Sequence, residues 1–117
     1  MKSIGIDVGT SFIKVSLLDV KTGQCLASFT YPAAEMPVKA VRAGWAEQDP
    51  DMWWDNVCWC LKALNTEYGL KDVGAIGITY QMHGLVCIDR EGRPLRDSII
   101  WSDSRAVEYG ALAFENI

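Results

Sequence analysis

Hydrophobic and polar residues alternate along the first part of the chain. In residues 3–8 apolar side chains take every second position, with glycine or aspartate between them, and this period of two predicts a half-buried strand. Residues 12–19 and 25–31 form similar runs, and short turns containing glycine separate the three. Because short turns join strands that lie side by side, the three runs are predicted to form an antiparallel meander.

After the predicted loop at residues 33–48, the apolar residues recur with the spacing of a helix. Asp49 is a good N-cap residue and Pro50 suits the first helical position, while Gly69 stands where a C-terminal cap belongs. The spacing predicts an amphipathic helix of about five turns. Its apolar stripe comprises Trp53, Val57, Cys60, Leu61, Leu64 and Tyr68.

The remaining segments predict further strands and a second helix. Residues 73–80 are mostly apolar and rich in β-branched side chains, as expected of a buried, parallel strand. Residues 85–89 and 95–101 flank a turn and are predicted to pair as a hairpin, and residues 105–114 are predicted to start another helix. Strands followed by alternating helix and strand indicate an α/β domain with a mixed sheet, expected to be incomplete because no closing strand follows.

Composition narrows the possible functions. The chain has 117 residues, of which 50% are hydrophobic and 22% charged, so a packed core is expected rather than disorder. The formal net charge of −4 offers no basic surface for nucleic acid. No apolar run approaches the roughly 20 residues that span a bilayer, and the first residues do not resemble a signal peptide. We therefore expect a cytoplasmic protein with no membrane partner.

The cysteine spacing argues against a zinc site. No C-x-x-C pair occurs, and one histidine cannot complete a usual zinc cluster. Reduced, mostly buried thiols are expected, with disulfides as the alternative. The cysteines are Cys25, Cys58, Cys60 and Cys87.

The first motif with chemical potential is the run from Ile4 to Ser11. The predicted strand delivers Asp7 to its end, and Gly9 lets the following turn approach a ligand closely. Thr10 and Ser11 offer hydroxyls and backbone N–H groups that can wrap a phosphate. The carboxylate can hold a hydrated Mg²⁺, and Lys14 adds a positive charge. Spacing alone fits an ordinary hairpin with a solvated aspartate better than a ligand site.

Three later motifs complete the pattern. The stretch from Trp45 to Trp54 reads W-A-E-Q-D-P-D-M-W-W, and its tryptophans are expected to be packing or surface residues. Gln81-Met82-His83-Gly84 follows a strand, where α/β proteins place ligand contacts; the alternative is a loop histidine that bonds a backbone carbonyl. Trp101-Ser102-Asp103-Ser104-Arg105 contains charges that form either a local ion pair or an N-cap.

These motifs, taken in this order, resemble those of the FGGY carbohydrate kinases, and their xylulokinase-like branch in particular. D-x-G-T-S resembles the first phosphate motif of the actin, heat-shock chaperone and sugar kinase superfamily. The other three resemble W-x-E-Q-D-P-x-x-W-W, Q-M-H-G and W-x-D-x-R. Ser102 departs from the Asn that xylulokinases often carry, which leaves the exact substrate open.

The resemblance implies an actin/hexokinase-like (ribonuclease H-like) ATPase fold. Residues 1–117 would be the N-terminal part of the first kinase domain, without the second, nucleotide-clamping domain. The implied reaction is ATP-dependent phosphorylation of a ketopentose, D-xylulose to D-xylulose 5-phosphate. Gluconate or another pentulose is the alternative substrate, and a non-catalytic nucleotide-binding module of the same superfamily is the alternative function.

The resemblance also assigns roles to residues. Asp7 would bind Mg²⁺, directly or through water, and the residues Gly9, Thr10, Ser11 and Lys14 would face the phosphates of ATP. The sugar would meet Met82, His83, Trp101 and Asp103. The catalytic base would be an aspartate beyond residue 117, so the chain alone is predicted to be inactive, and to self-associate or form a homo-oligomer. The assignment requires Asp7 to share a cleft wall with His83 and Trp101.

Overall fold

The computed structural model describes residues 1–116, which form two compact units. The first unit combines residues 1–36 with residues 51–81, and the second combines residues 37–50 with the chain from Met82 onward. In chain order the elements are β1 (Lys2–Val8), β2 (Ile13–Asp19), β3 (Cys25–Tyr31), β4 (Glu47–Gln48), α1 (Pro50–Tyr68), β5 (Val73–Tyr80), β6 (Ser98–Ile99) and α2 (Val107–Glu115).

The first unit is built on a mixed sheet with the strand order β3-β2-β1-β5. β1 pairs antiparallel with β2, and β2 pairs antiparallel with β3, so the predicted meander is confirmed. β5 pairs parallel with β1, which confirms the predicted mixed sheet. One face of β1 and β2 carries the apolar side chains of the alternating pattern, and Ile13, Val15 and Leu17 on that face are fully buried.

α1 packs its predicted stripe onto this face of the sheet. Val57, Cys60 and Leu64 join the core cluster of β1 and β2, whereas Tyr68 at the end of the stripe is exposed. The helix ends as predicted, because Gly69 adopts a positive φ of 65° and its N–H donates to the carbonyl of Asn65 at 3.1 Å.

The predicted burial of residues 73–80 is wrong. Every residue of β5 after Val73 is exposed in the described part of the chain, because β5 is an edge strand and the core cluster draws on β1, β2, β3 and α1, with only Val73 from β5. Ile76, Ile78 and Tyr80 are 59%, 64% and 69% exposed. The apolar run predicted the strand and its direction correctly, but not what covers it.

The second unit contains short pairings in place of the predicted hairpin. Residues 85–89 do face residues 94–101 through the antiparallel bridges Leu85–Ile99 and Ile88–Pro94. Regular strand is limited to β6, however, which pairs with β4. The loop predicted at residues 33–48 therefore ends in a strand. α2 begins at Val107 rather than at residue 105, with Ala106 as N-cap and no side-chain cap hydrogen bond.

All four cysteines are free in the described residues, but the expectation of mostly buried thiols is wrong. Only Cys60 is buried; Cys58 and Cys87 are half-buried, and Cys25 is exposed at the start of the outer strand β3. Burial raises the pKa of the Cys60 thiol. Between residues 1 and 116, neither helix has the length and apolar character that crossing a bilayer requires.

Candidate functional site

The turn between β1 and β2 forms a pocket at the polar edge of the first unit. A cavity of about 370 Å³ is lined by all five residues of the predicted phosphate site, together with Phe12 and Thr30. The five are Asp7, Gly9, Thr10, Ser11 and Lys14. The structure thus brings this half of the predicted site together in one place.

Gly9 is required by the backbone of this turn. Its N–H donates to the carbonyl of Phe12 at 3.2 Å, and a Cβ at this position would stand 2.9 Å from the same oxygen. A side chain would therefore collide with backbone that has no freedom to move away. The turn therefore keeps this conformation only while residue 9 is glycine.

The sheet register places a polar row beside the pocket. Asp7 is paired with Lys14 on β2 and with Thr79 on β5, and Lys14 is paired in turn with Thr30 on β3. The next row consists of Gly77, Gly5, Ser16 and Ser28. A second open groove of about 450 Å³ runs along both rows and also includes Asp7 and Lys14 in its lining. Asp7 and Lys14 therefore border both cavities.

The charges of this pocket suit a phosphate with its metal ion. Asp7 is an exposed carboxylate and Lys14 an exposed ammonium group, while the turn adds hydroxyls and N–H donors. Across residues 1–116, no three His, Cys, Asp or Glu side chains are grouped closely enough to hold a metal by themselves. A single carboxylate fits Mg²⁺, which usually keeps several waters and completes its shell with substrate phosphates.

Gln81 continues the ladder beyond the end of β5. Its N–H donates to the carbonyl of Val8 at 3.1 Å, which puts the start of the Gln81-Met82-His83-Gly84 motif next to the end of β1. The two polar atoms of its side-chain amide are buried without a hydrogen-bond partner in the described residues. A buried unpaired amide is costly, so Gln81 is a position that sequence reasoning left without a role.

The predicted sugar-facing residues lie in the second unit. Met82 is 67% exposed and Trp101 is 60% exposed, so both offer apolar surface to solvent. His83 is exposed and has a positive φ of 64°, a conformation that is uncommon outside glycine and is often retained at binding sites.

The short pairings bring the two predicted sugar motifs side by side. Leu85, two residues after His83, exchanges both backbone hydrogen bonds with Ile99, two residues before Trp101, at 2.8 and 3.1 Å. The Ser98 hydroxyl adds a bond to the carbonyl of Leu85 at 3.1 Å. The loop that carries His83 and the segment that carries Trp101 are therefore held together by backbone bonds within the second unit.

The carboxylate of Asp103 accepts hydrogen bonds from other groups of the protein. Its side chain is 3% exposed, Oδ2 accepts the N–H of Ala46 at 2.6 Å, and Arg105 Nε donates to Oδ1 at 2.9 Å. These bonds, with the Arg105 guanidinium as the largest influence, hold the pKa of Asp103 well below its usual range. The predicted local ion pair is confirmed at 2.7 Å. A direct contact of Asp103 with sugar stays a prediction.

Sequence reasoning missed the role of Glu47. This carboxylate is buried, and its Oε1 accepts from Arg105 at 2.7 Å and also from Arg96. Arg105 additionally stacks on Trp45, with its Cζ 3.7 Å from the ring centroid. The sequence shows Glu47 as an acidic residue within the W-A-E-Q-D-P stretch, but its spacing did not reveal which arginines it contacts. Trp54, by contrast, is a surface residue, 64% exposed.

Comparisons with known proteins identify the family of this chain. Residues 3–112 match the model of the FGGY family of carbohydrate kinases, N-terminal domain. Over 105 residues the chain is 41% identical to the xylulose kinase of Escherichia coli strain K12. The aligned region covers 90% of this chain and 21% of that protein. The chain thus spans about a fifth of the length of the curated relatives it matches.

Solved structures show the same fold. A crystal structure of a xyloylose kinase from Brucella ovis superposes with a TM-score of 0.90 at 30% identity, over 99% of this chain and 24% of that one. A gluconate kinase from Lactobacillus acidophilus gives 0.86 at 30% identity, over 98% of this chain and 22% of that one. The actin/hexokinase-like fold is confirmed, and the chain belongs to the FGGY family of carbohydrate kinases.

Proposed function

We propose that this chain supplies the phosphate-facing turn and part of the sugar pocket of an ATP-dependent kinase that converts D-xylulose to D-xylulose 5-phosphate. The observation that carries the proposal is the single pocket lined by Asp7, Lys14 and the Gly9-Thr10-Ser11 turn. In a member of a sugar kinase family, a carboxylate, an ammonium and a glycine-containing turn around one cavity suit Mg·ATP.

Mg²⁺ and ATP are the cofactor and co-substrate of the proposal. Asp7 would hold the ion through its carboxylate or through water, and the ion supplies neutralisation of phosphate charge when bound. Lys14 adds a second positive charge, while the turn orients the phosphates through backbone N–H groups. Positioning and charge stabilisation are the main contributions a protein makes to phosphoryl transfer.

The sugar is proposed to meet the second unit. His83 would orient a hydroxyl as hydrogen-bond donor or acceptor, and Trp101 would offer its ring face to the C–H groups of the sugar. Met82 lies beside His83 and adds apolar contact. Exposure of Met82 and Trp101 and the backbone pairing that holds their segments together support this assignment.

Phosphate binding can be tested by calorimetry with Mg·ATP. Lys14→Gln should weaken binding at least tenfold, and Asp7→Asn should remove the Mg²⁺ dependence of whatever binding remains. Lys62→Gln, an exposed lysine on α1, is the matched control and should bind like the unchanged chain. Equal affinities for Lys14→Gln and Lys62→Gln would contradict the proposal.

Catalysis is proposed to need a base that residues 1–117 do not supply, so the chain alone should not turn over. A coupled ADP-release assay with D-xylulose, ATP and Mg²⁺ is expected to give no rate above the background ATPase level. Clear metal-dependent turnover by the purified chain would show that this prediction is wrong.

Gluconate is the second candidate substrate. Two observations support gluconate as a candidate: the fold is similar to that of a gluconate kinase, and Ser102 departs from the Asn that xylulokinases often carry. Titrating D-xylulose, D-ribulose and gluconate separately against the chain distinguishes them by affinity. A chain that binds Mg·ATP but none of the three sugars would favour the alternative, a non-catalytic nucleotide-binding module.

Self-association and a cytoplasmic location are further proposals. The exposed apolar side chains of β5, Ile76, Ile78 and Tyr80, support association, because large apolar patches are rarely left in water. We expect species larger than 13 kDa in light scattering, and Ile78→Ser should shift the distribution towards the monomer. A monodisperse monomer would contradict this expectation.

A further inference from the structure

The Trp101 segment is anchored on both sides by one residue of the W-A-E-Q-D-P stretch. The carbonyl of Ala46 accepts the N–H of Ile100 at 3.1 Å, and the N–H of Ala46 donates to the carboxylate of Asp103 at 2.6 Å. Both backbone groups of Ala46 therefore hold the residues next to Trp101. The indole itself is 60% exposed, so its direction depends on these anchors and little on packing.

The second anchor depends on a charge network. Arg105 bridges the two carboxylates, because its Nη2 donates to Glu47 Oε1 and to Asp103 Oδ2, each at 2.7 Å. Its Nε and its backbone N–H add bonds to Asp103 Oδ1, each at 2.9 Å. With Arg96 also bonded to Glu47, the network contains two carboxylates and two guanidinium groups and is electrically balanced.

The geometry requires arginine at position 105. The guanidinium plane stacks on Trp45 while its edge contacts both carboxylates, and its side chain is 16% exposed. A lysine keeps the charge but has a single ammonium group without the planar fork, so it cannot bridge Glu47 and Asp103 and also cover the ring. The lowered pKa of Asp103 is consistent with a carboxylate that stays ionised within this network.

We infer that Glu47 and Arg105 are positioning residues that fix the Trp101 segment as a wall of the sugar pocket. The inference rests on the proposed function, since it presumes that Trp101 faces sugar. It gives the W-A-E-Q-D-P stretch a role beyond starting α1, because Glu47 and Ala46 set the position of a segment more than fifty residues later in the chain.

The test compares matched substitutions in the 117-residue chain by nuclear magnetic resonance. Arg105→Lys and Glu47→Gln alter the network, whereas Arg93→Lys and Glu91→Gln make the same changes in an ion pair whose side chains are 72% and 66% exposed. Two ligand-free readouts are the hydrogen exchange rate of the Ala46 amide and the indole N–H resonance of Trp101. The Leu95 amide, bonded to Cys87 at 2.9 Å, reports on the rest of the same unit.

We expect Arg105→Lys to accelerate exchange at Ala46 at least tenfold and to shift the Trp101 resonance, with exchange at Leu95 unchanged. Glu47→Gln should have the same effect at smaller size, because the amide keeps one acceptor oxygen. The two control variants should change neither readout. An unchanged Ala46 and Trp101 in both network variants, or equal acceleration at Leu95, would overturn the inference, the latter because it indicates a purely structural role.

Titration with D-xylulose separates this inference from the proposed function. The unchanged chain should show a sugar-dependent shift of the Trp101 resonance, and Arg105→Lys should weaken that response at least tenfold. If the unchanged chain shows no response, the sugar assignment of Trp101 fails. The claim that Glu47 and Arg105 position Trp101 is then still decided by the ligand-free readouts.

Discussion

Replacing Gly44 with alanine probes the loop that precedes Glu47. Gly44 has a positive φ of 78°, and a Cβ at this position would lie 2.6 Å from the Ser104 Oγ. That hydroxyl donates to the carbonyl of Gly44 at 2.9 Å, and the N–H of Ser104 donates to the same oxygen at 2.8 Å. The substitution therefore has two separate energetic costs: a strained backbone conformation at residue 44 and a steric clash with Ser104.

The magnitude follows from these two contributions. A left-handed conformation costs a residue with a Cβ about 1–2 kcal/mol, and the reduced entropy of the unfolded chain offsets roughly 0.4–1 kcal/mol of this. Relief of the contact requires the Ser104 side chain to rotate, which gives up a hydrogen bond worth about 0.5–1.5 kcal/mol. Gly44→Ala should thus lower the free energy of unfolding by about 2 kcal/mol in total.

Gly92→Ala is the matched control in the same unit. Gly92 has a φ of 81°, and nothing lies within 4 Å of its Cβ position, so only the backbone cost of about 1 kcal/mol applies. In a Ser104→Ala background, where no hydroxyl is left to displace, the excess cost of Gly44→Ala should disappear. The pair of substitutions forms a double-mutant cycle with a coupling energy of about 1 kcal/mol.

Urea unfolding followed by tryptophan fluorescence is the assay, because Trp45 adjoins Gly44 and stacks on Arg105. A slope of about 1–3 kcal/mol per molar urea turns 1 kcal/mol into a midpoint shift of roughly 0.3–1 M. Equal midpoints for Gly44→Ala and Gly92→Ala would refute the steric argument. An excess cost that persists without the Ser104 hydroxyl would refute it as well.

Further predictions concern stability, pH and thiol reactivity. Leu64→Ala removes a fully buried side chain of α1 and should lower the free energy of unfolding by about 2–5 kcal/mol in the same assay. Asp89 has a lowered pKa, chiefly because it accepts the backbone N–H of Arg93, so it stabilises the fold above pH of about 4 and less as the pH falls; Asp89→Asn should flatten the acid limb of a pH titration of stability. A thiol reagent should modify the exposed Cys25 in the native chain but reach Cys60, which is 0% exposed, only on unfolding; equal rates would contradict the core packing.

Local patterns predicted the first unit well because its elements are specified by neighbours in sequence. The bounds of β3 and of residues 73–80 agree with the structure, and Gly69 ends α1 as predicted. Period-two and period-3.6 patterns depend on which face is apolar, and short turns leave few alternatives for pairing adjacent strands. The residues of the predicted phosphate site also cluster for this reason, since all of them lie on one hairpin.

Non-local contacts account for most of what sequence reasoning missed. Whether the apolar face of β5 is covered depends on other elements, which the strand's own composition cannot report. The Glu47–Arg105 ion pair joins residues 58 positions apart, and no periodic pattern relates two residues at such a distance. The interrupted pairing of residues 85–89 with 95–101 was predicted as a regular hairpin because turn residues indicate proximity but not how long a ladder continues.

The sheet register determines both the position of Asp7 and the packing of the core. Ile6 and Val15 are paired on the apolar face and are buried, while Asp7 and Lys14, the next pair, face the pocket. A slip of one residue would turn the carboxylate towards α1 and expose the isoleucine. Because burying an unpaired charge costs far more than the apolar contacts return, the hydrophobic pattern that folds the hairpin also keeps the carboxylate at the predicted phosphate turn.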